Sequence, residues 1–233
     1  MGGGRETKGT YKPGNLKIEK TIELAGENGI RPLMIYDYGN TLYEEKTSIN
    51  PRSKPQTEKS QDAFLNYVRW STNHLKNNVS MFEIWNEWIQ MDGRNNKQFA
   101  ISDSSAKAYA SLTLKSCRII KEINPKAIVI AGGISPLDDD SSRWLTKVIN
   151  YGVLDCIDGI SLHPYNFKYN KELDYNPIIF AIKGLEVKLT YLNKGKKVPL
   201  YITETGAPNT NNSFIAYKTL QIILQDTFRN YQN

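Results

Sequence analysis

Five short apolar runs, separated by stretches with helical spacing, constrain this chain more than any other feature of it. They cover residues 31–40 (RPLMIYDYGN), 79–88 (VSMFEIWNEW), 127–134 (AIVIAGGI), 157–165 (IDGISLHPY) and 199–206 (PLYITETG). Each is close to continuously apolar, the pattern of a strand buried on both faces. Residues 61–77 set Phe64, Leu65, Val68 and Leu75 on one helical face, and a long helix over 104–124 stops before Pro125. Further helices are predicted over 16–28, over 141–151 behind a capping Asp/Ser run, over 177–192 with Pro177 at its start, and over 212–230. Residues 1–15, 41–59 and 89–102 read as loops. One helix followed by five strand–helix units means a parallel sheet covered by helices, an α/β fold.

Two architectures share that order. A doubly wound open sheet usually carries a Gly-rich phosphate loop after its first strand. Gly132-Gly133 is a pair and not that fingerprint, so a nucleotide-dependent enzyme is disfavoured. A (β/α)8 TIM barrel presents its chemistry at the C-terminal ends of its strands, and four of the five runs end in polar groups. Three strand–helix units span the interval from Glu87 to Glu204, a spacing that suits a barrel.

The chain has 233 residues, with 39% hydrophobic and 23% charged, which fits one folded domain and excludes disorder. The net charge of +6 comes from scattered Lys, with a short cluster at Lys194, Lys196 and Lys197. There is no basic stripe with interleaved aromatics, so nucleic acid is not an expected partner. No apolar run reaches the length of a membrane span, and the first residues, MGGGRETKGTYK, have no h-region of a signal peptide. The cysteines, Cys117 on a helix and Cys156 just before a strand, make neither a disulfide scaffold nor a metal site by count, and are expected as buried free thiols.

Two of the runs end in carboxylates: Glu87, after Trp85-Asn86, and Glu204. A carboxylate pair flanking a bond is what glycoside hydrolysis uses, one as acid/base and one as nucleophile in the retaining case. The plainer roles for these two are a rim ion pair and a helix cap. Asn86 is placed to hydrogen-bond a sugar 2-hydroxyl, or to form a turn. His163 and Tyr165 lie two apart and so share a face. Tyr38 and Asn40 share a parity that would line the neighbouring edge of a cleft, with Asp37 on the other face. Trp88 either stacks on a sugar or packs beneath the loop. Glu83, Trp85 and Glu87 share parity, so Glu83 is expected inside the barrel below the site, as a structural group with a partner. Thr203 and Thr205 read as packing residues. Asp138, Asp139 and Asp140 cannot share one face, which favours helix capping over a metal.

Trp85-Asn86-Glu87, His163-Pro164-Tyr165 and Glu204, in this order at strand ends, resemble clan A of the glycoside hydrolases. GIRPLMIYDYGNTLYE and FEIWNEW are most similar to family thirty-nine and related bacterial exopolysaccharide endoglycosidases. The resemblance runs over roughly residues 9–206. It implies a TIM barrel, a retaining mechanism, Glu87 as acid/base on strand four and Glu204 as nucleophile on strand seven. It also implies that Tyr165 touches the nucleophile, that His163 lines the subsite, and that no cofactor is needed. The substrate would be a polysaccharide or oligosaccharide with β-glycosidic bonds, and such proteins are often secreted or periplasmic. On that count the run at 31–40 is strand three, and strands one, two and eight have no counterpart. Residues 1–233 are then one partial TIM-barrel catalytic domain. The competing expectation is an inactive barrel remnant that binds glycan, or assembles with another chain through open barrel edges near Met34 and Tyr201.

Overall fold

The computed structural model describes residues 8–13, 16–40, 42–43, 54–55, 57–90, 97–165 and 176–205. The helix expected over 212–230 lies outside them.

Among the described residues, five strands form a single sheet: β1 (Leu33–Tyr36), β2 (Met81–Ile84), β3 (Ile128–Ile134), β4 (Gly159–Leu162) and β5 (Leu200–Ile202). All neighbours run parallel, and their spatial order is their chain order. This order decides between the two candidate architectures. A doubly wound sheet reverses direction at a switch point. Right-handed crossovers that always step the same way put every helix on one side, and the sheet becomes an arc of a barrel.

The helices are α1 (Leu16–Glu27), α2 (Glu58–Leu75), a short α3 (Lys97–Ala100), α4 (Asp103–Ile123), α5 (Asp139–Asn150) and α6 (Asn176–Leu192). Neighbouring helices α2, α4, α5 and α6 pack against one another in sequence. Their starts are written in the chain. Thr57 and Ser60 form a capping box on α2, and Ser102 accepts from the Ser105 N–H at the start of α4. Asp138 accepts from the Ser141 N–H at 2.9 Å, so the Asp run does cap the next helix. Each such cap is worth about 1 kcal/mol.

The core lies between sheet and helices. Its largest fully buried side chains include Trp85, Trp144, Tyr36, Tyr109 and Phe82. The opposite face of the sheet carries Ile35, Glu83 and Ile130 in register, continuing to Gly159. Glu83 thus sits on the inner face beneath the strand ends, and it is fully buried.

The cysteines differ from expectation. Cys117 of α4 is disulfide-bonded to Cys156, with a Cα–Cα distance of 6.2 Å. Cys156 follows the 3-10 turn Val153–Asp155 that leads into β4. Although the two are 39 residues apart in sequence, α4 packs directly on that turn. The free-thiol expectation fails because spacing alone does not reveal that contact.

Candidate active site

The strand β2 stops at Ile84, and the chain then leaves extended geometry. Trp85 and Glu87 both take positive φ, 65° and 46°, a conformation that costs a non-glycine residue about 1–3 kcal/mol. The first reversal sends the Trp85 ring into the core. It lies there against Phe64, Trp88 and Tyr38, at centroid distances of 5.6, 5.1 and 5.9 Å. Trp85 therefore does not share a face with Glu83 and Glu87, as strict alternation predicts. The second reversal turns Glu87 over the end of the neighbouring strand.

That neighbour has to be glycine. A Cβ on Gly133 (φ +52°) would lie 2.8 Å from the Glu87 backbone nitrogen and 3.5 Å from His163 Cε1. The Gly133 N–H instead donates to Ser161 Oγ at 2.8 Å, where the β3–β4 register shifts between Ala131 and Ile134. The Gly-Gly pair closing an apolar run was the available signal for this close approach.

His163 follows β4 directly, and its backbone N–H donates to the Ile134 carbonyl. Its ring is fully buried. Nδ1 lies 3.1 Å from Glu87 Oε1 and 3.7 Å from Glu204 Oε2. Nε2 lies 3.1 Å from Thr203 Oγ1 and 3.6 Å from Glu83 Oε1. Burial pulls the His163 pKa down, but the polar contacts with Glu83 and Glu87 and the charges of Glu83 and Glu204 outweigh it, raising the pKa to about 9.

Glu204 is held from both sides in sequence. The Thr203 N–H donates to the Leu162 carbonyl, and Thr205 Oγ1 donates to the Pro164 carbonyl at 3.2 Å. Both threonines therefore fasten the end of β5 to the end of β4, which is more than the packing role expected of them. The Tyr165 hydroxyl donates to Glu204 Oε2 at 2.7 Å. Burial, that hydrogen bond and the charges of Glu204 and Glu87 push the Tyr165 pKa up to about 12, so it stays a donor. The side chains of Glu87 and Glu204 are 21% and 31% exposed, open to a ligand from one side.

Glu87, His163 and Glu204 each present one polar atom within 4.8 Å of the other two. Such a trio could enclose a cation. The surrounding carboxylates raise the His163 pKa, so without a cation the arrangement reads as two carboxylates around an imidazolium.

The structure brings most of the sequence-nominated residues together. Asn86 Nδ2 donates to Tyr38 Oη at 2.9 Å, joining the two, and Asn86 Oδ1 is buried with no hydrogen-bond partner among the described residues. Two nominated residues are not brought to the site. Asn40 is exposed, and its Oδ1 accepts from the Leu42 N–H at 2.9 Å, so its amide shapes a turn. Trp88 is buried, its Nε1–H donates to Ser105 Oγ, and Lys54 Nζ stands 4.6 Å over its ring. It is buried in the core and offers no stacking face to a sugar.

A family model for cellulases, glycosyl hydrolase family 5, matches residues 5–230. The chain belongs to this family. Solved structures agree on the fold of this family 5 chain. A family 39 glycoside hydrolase from Bacteroides cellulosilyticus WH2 superposes with a TM-score of 0.66 at 21% identity, covering 88% of this chain and 42% of that one. A monomeric β-xylosidase from Caulobacter crescentus CB15 gives 0.58 at 18% identity, covering 83% and 41%. Xylanase 10B from Thermotoga maritima gives 0.57 at 20% identity, covering 91% and 61%. The chain thus spans about two fifths of the first two. No curated protein matches it. The clan A resemblance is borne out. The closeness to family thirty-nine holds only in part, since the family model is that of family 5 and family 39 enters as a shared fold.

Proposed function

We propose that this chain is the partial catalytic domain of a retaining glycosidase, cleaving β-glycosidic bonds in a polysaccharide or oligosaccharide. One observation carries the reading: carboxylate oxygens of Glu87 and Glu204 lie within 4.8 Å of each other at adjoining strand ends. Retaining pairs stand about 5–5.5 Å apart, whereas inverting pairs stand about 6.5–9.5 Å apart to admit a water.

Roles follow from the surroundings. Tyr165 donates to Glu204, which stabilises the anion there and suits Glu204 to be the nucleophile and Glu87 the acid/base. Glu204 then attacks the anomeric carbon while Glu87 protonates the departing oxygen. The covalent glycosyl–enzyme is hydrolysed by a water that Glu87, now a base, deprotonates. Asn86 Oδ1, buried without a partner among the described residues, accepts a hydroxyl of the sugar in the subsite. Tyr38 holds that amide in place.

The test is turnover of aryl β-glycosides, cello- and xylo-oligosaccharides and bacterial exopolysaccharides. The cellulase family and the xylosidase and xylanase that share the fold set the first choices. Glu87→Gln is expected to lower turnover about 10²–10⁴-fold and Glu204→Gln to abolish it, with unfolding transitions unchanged. Wild-type turnover in either variant sinks the proposal. A second reading, a glycan-binding or assembling remnant, draws on α1, which has no buried residue and exposes Leu16, Ile18 and Leu24. It predicts an inactive wild type that self-associates, and an active monodisperse monomer overturns it.

A further inference from the structure

Glu83 is the deepest carboxylate of the site, and no role above uses it. It is fully buried, its Oε2 has no hydrogen-bond partner among the described residues, and its Oε1 lies 3.4 Å from Thr203 Oγ1. An enclosed charge of this kind costs several kcal/mol unless an opposite charge stands beside it. Among the described residues, the nearby cation is His163, with Nε2 at 3.6 Å.

With Glu83 ionised, the geometry sets the hydrogen count around His163. Thr203 has one hydroxyl hydrogen. Given to Glu83 Oε1, it leaves Thr203 Oγ1 an acceptor, so His163 Nε2, 3.1 Å away, must donate. Nδ1 faces carboxylate oxygens of Glu87 and Glu204, so it donates as well. Among the described residues, the titratable groups facing the ring are Glu83 from β2, Glu87 after it, Glu204 after β5, and Tyr165, which lies edge-on. Tyr109, whose hydroxyl donates to the Ile84 carbonyl, stands close enough to Glu83 to feel its charge.

We propose that Glu83 is a positioning residue: through Thr203 and the Nε2 edge it holds His163 as an imidazolium whose Nδ1–H is directed at Glu87 and Glu204. The imidazolium is then a fixed positive charge between two carboxylates that would otherwise repel. The catalytic consequence rests on the glycosidase reading, but the protonation itself does not.

The chain has two histidines, so an imidazole 15N NMR titration of the whole chain reads His163 directly, with His74 on the surface as internal reference. In the wild type, both His163 nitrogens stay protonated through about pH 8. In Glu83→Gln the midpoint falls by at least about one pH unit, while His74 titrates as before. Thr203→Val cuts the bridge without altering charge and moves the midpoint the same way by less, which keeps the test open if Glu83→Gln does not fold. In kinetics, Glu83→Gln lowers kcat about 10–100-fold with KM little changed. Its basic limb moves to lower pH, and Glu83→Asp recovers part of both losses.

A His163 that is neutral at pH 7 in the wild type, or that titrates identically in the wild type and both variants, overturns the proposal. Expected NMR shifts in a chain that hydrolyses nothing would sink the glycosidase reading and leave Glu83's role standing. Normal activity with an unmoved midpoint would do the reverse.

Discussion

Asp158, just before β4, and Glu83, within β2, are both carboxylates of the sheet, and their surroundings differ in kind. Asp158 is 38% exposed, accepts from Lys121 Nζ at 2.9 and 2.7 Å, and accepts from the Val129 N–H at 2.7 Å. Glu83 is sealed from solvent, shares one long contact with Thr203 and, among the described residues, leaves an oxygen without a hydrogen bond. The first belongs to the end where the strands begin, the second to the layer beneath the end where they stop. At the beginning of the strands, charges meet their partners and solvent shares the cost. At their ends, three carboxylates crowd one imidazole, and two non-glycine residues hold positive φ. A fold does not collect such features for stability. The contrast separates the part of the molecule that holds the sheet together from the part the sheet exists to hold.

That separation can be broken from the stabilising side first. Cys117→Ser opens a cross-link between residues 39 apart, which loop-closure entropy values at about 4 kcal/mol. Urea unfolding should show the loss, while kcat of the fraction still folded stays at the wild-type value. A fall in kcat at full folding would mean that the α4–β4 tie sets the site geometry, and the two regions would then not be independent.

The opposite end is probed by Gly133→Ala. Its methyl group would sit 2.8 Å from the Glu87 nitrogen at a φ of +52°. Overpacking and strain of this kind cost about 1–3 kcal/mol, less than the disulfide. The effect on catalysis should nonetheless be the larger of the two, because what gives way is Glu87 or the His163 ring. Equal kcat in Gly133→Ala and wild type, measured on folded protein, would show that the close approach is incidental.

The sequence made the five strands legible because strands of a helix-covered parallel sheet leave continuous apolar runs, even at β1 and β5, which are only half-buried. It also made legible the order of polar strand ends, from which Glu87, His163, Tyr165 and Glu204 follow. It overextended the strands. Residues 37–40, 85–88 and 163–165 lie beyond the last paired residues, so alternation says little about where their side chains point. Trp85 shows this through its positive φ, and Asn40 through its turn. Trp88 is a tryptophan beside a carboxylate in the sequence and a core residue in space. The disulfide was hidden because two cysteines fix no proximity. The Thr203 bridge from Glu83 to His163 joins three strand ends, and no local pattern encodes that.

The smallest effect sharpens the comparison most. Lys121 Nζ also donates to the Ala127 carbonyl at 2.7 Å, so it ties α4 to the starts of both β3 and β4. Both members of the ion pair are partly exposed, 27% and 38%, and solvent screening keeps such a pair near or below about 1 kcal/mol. Lys121→Ala should therefore lower stability by about that much in a thermal or urea melt, and leave kcat and its pH profile unchanged. Its importance is positional. The β3–β4 register that Lys121 helps anchor at one end is the register in which Gly133 and His163 meet Glu87 at the other. If Lys121→Ala changes the pH profile, the register is transmitted along the whole strand pair, and the site depends on its far end. If only stability moves, the shift between Ala131 and Ile134 isolates the site from the anchor, and the two ends of the sheet are free to change separately.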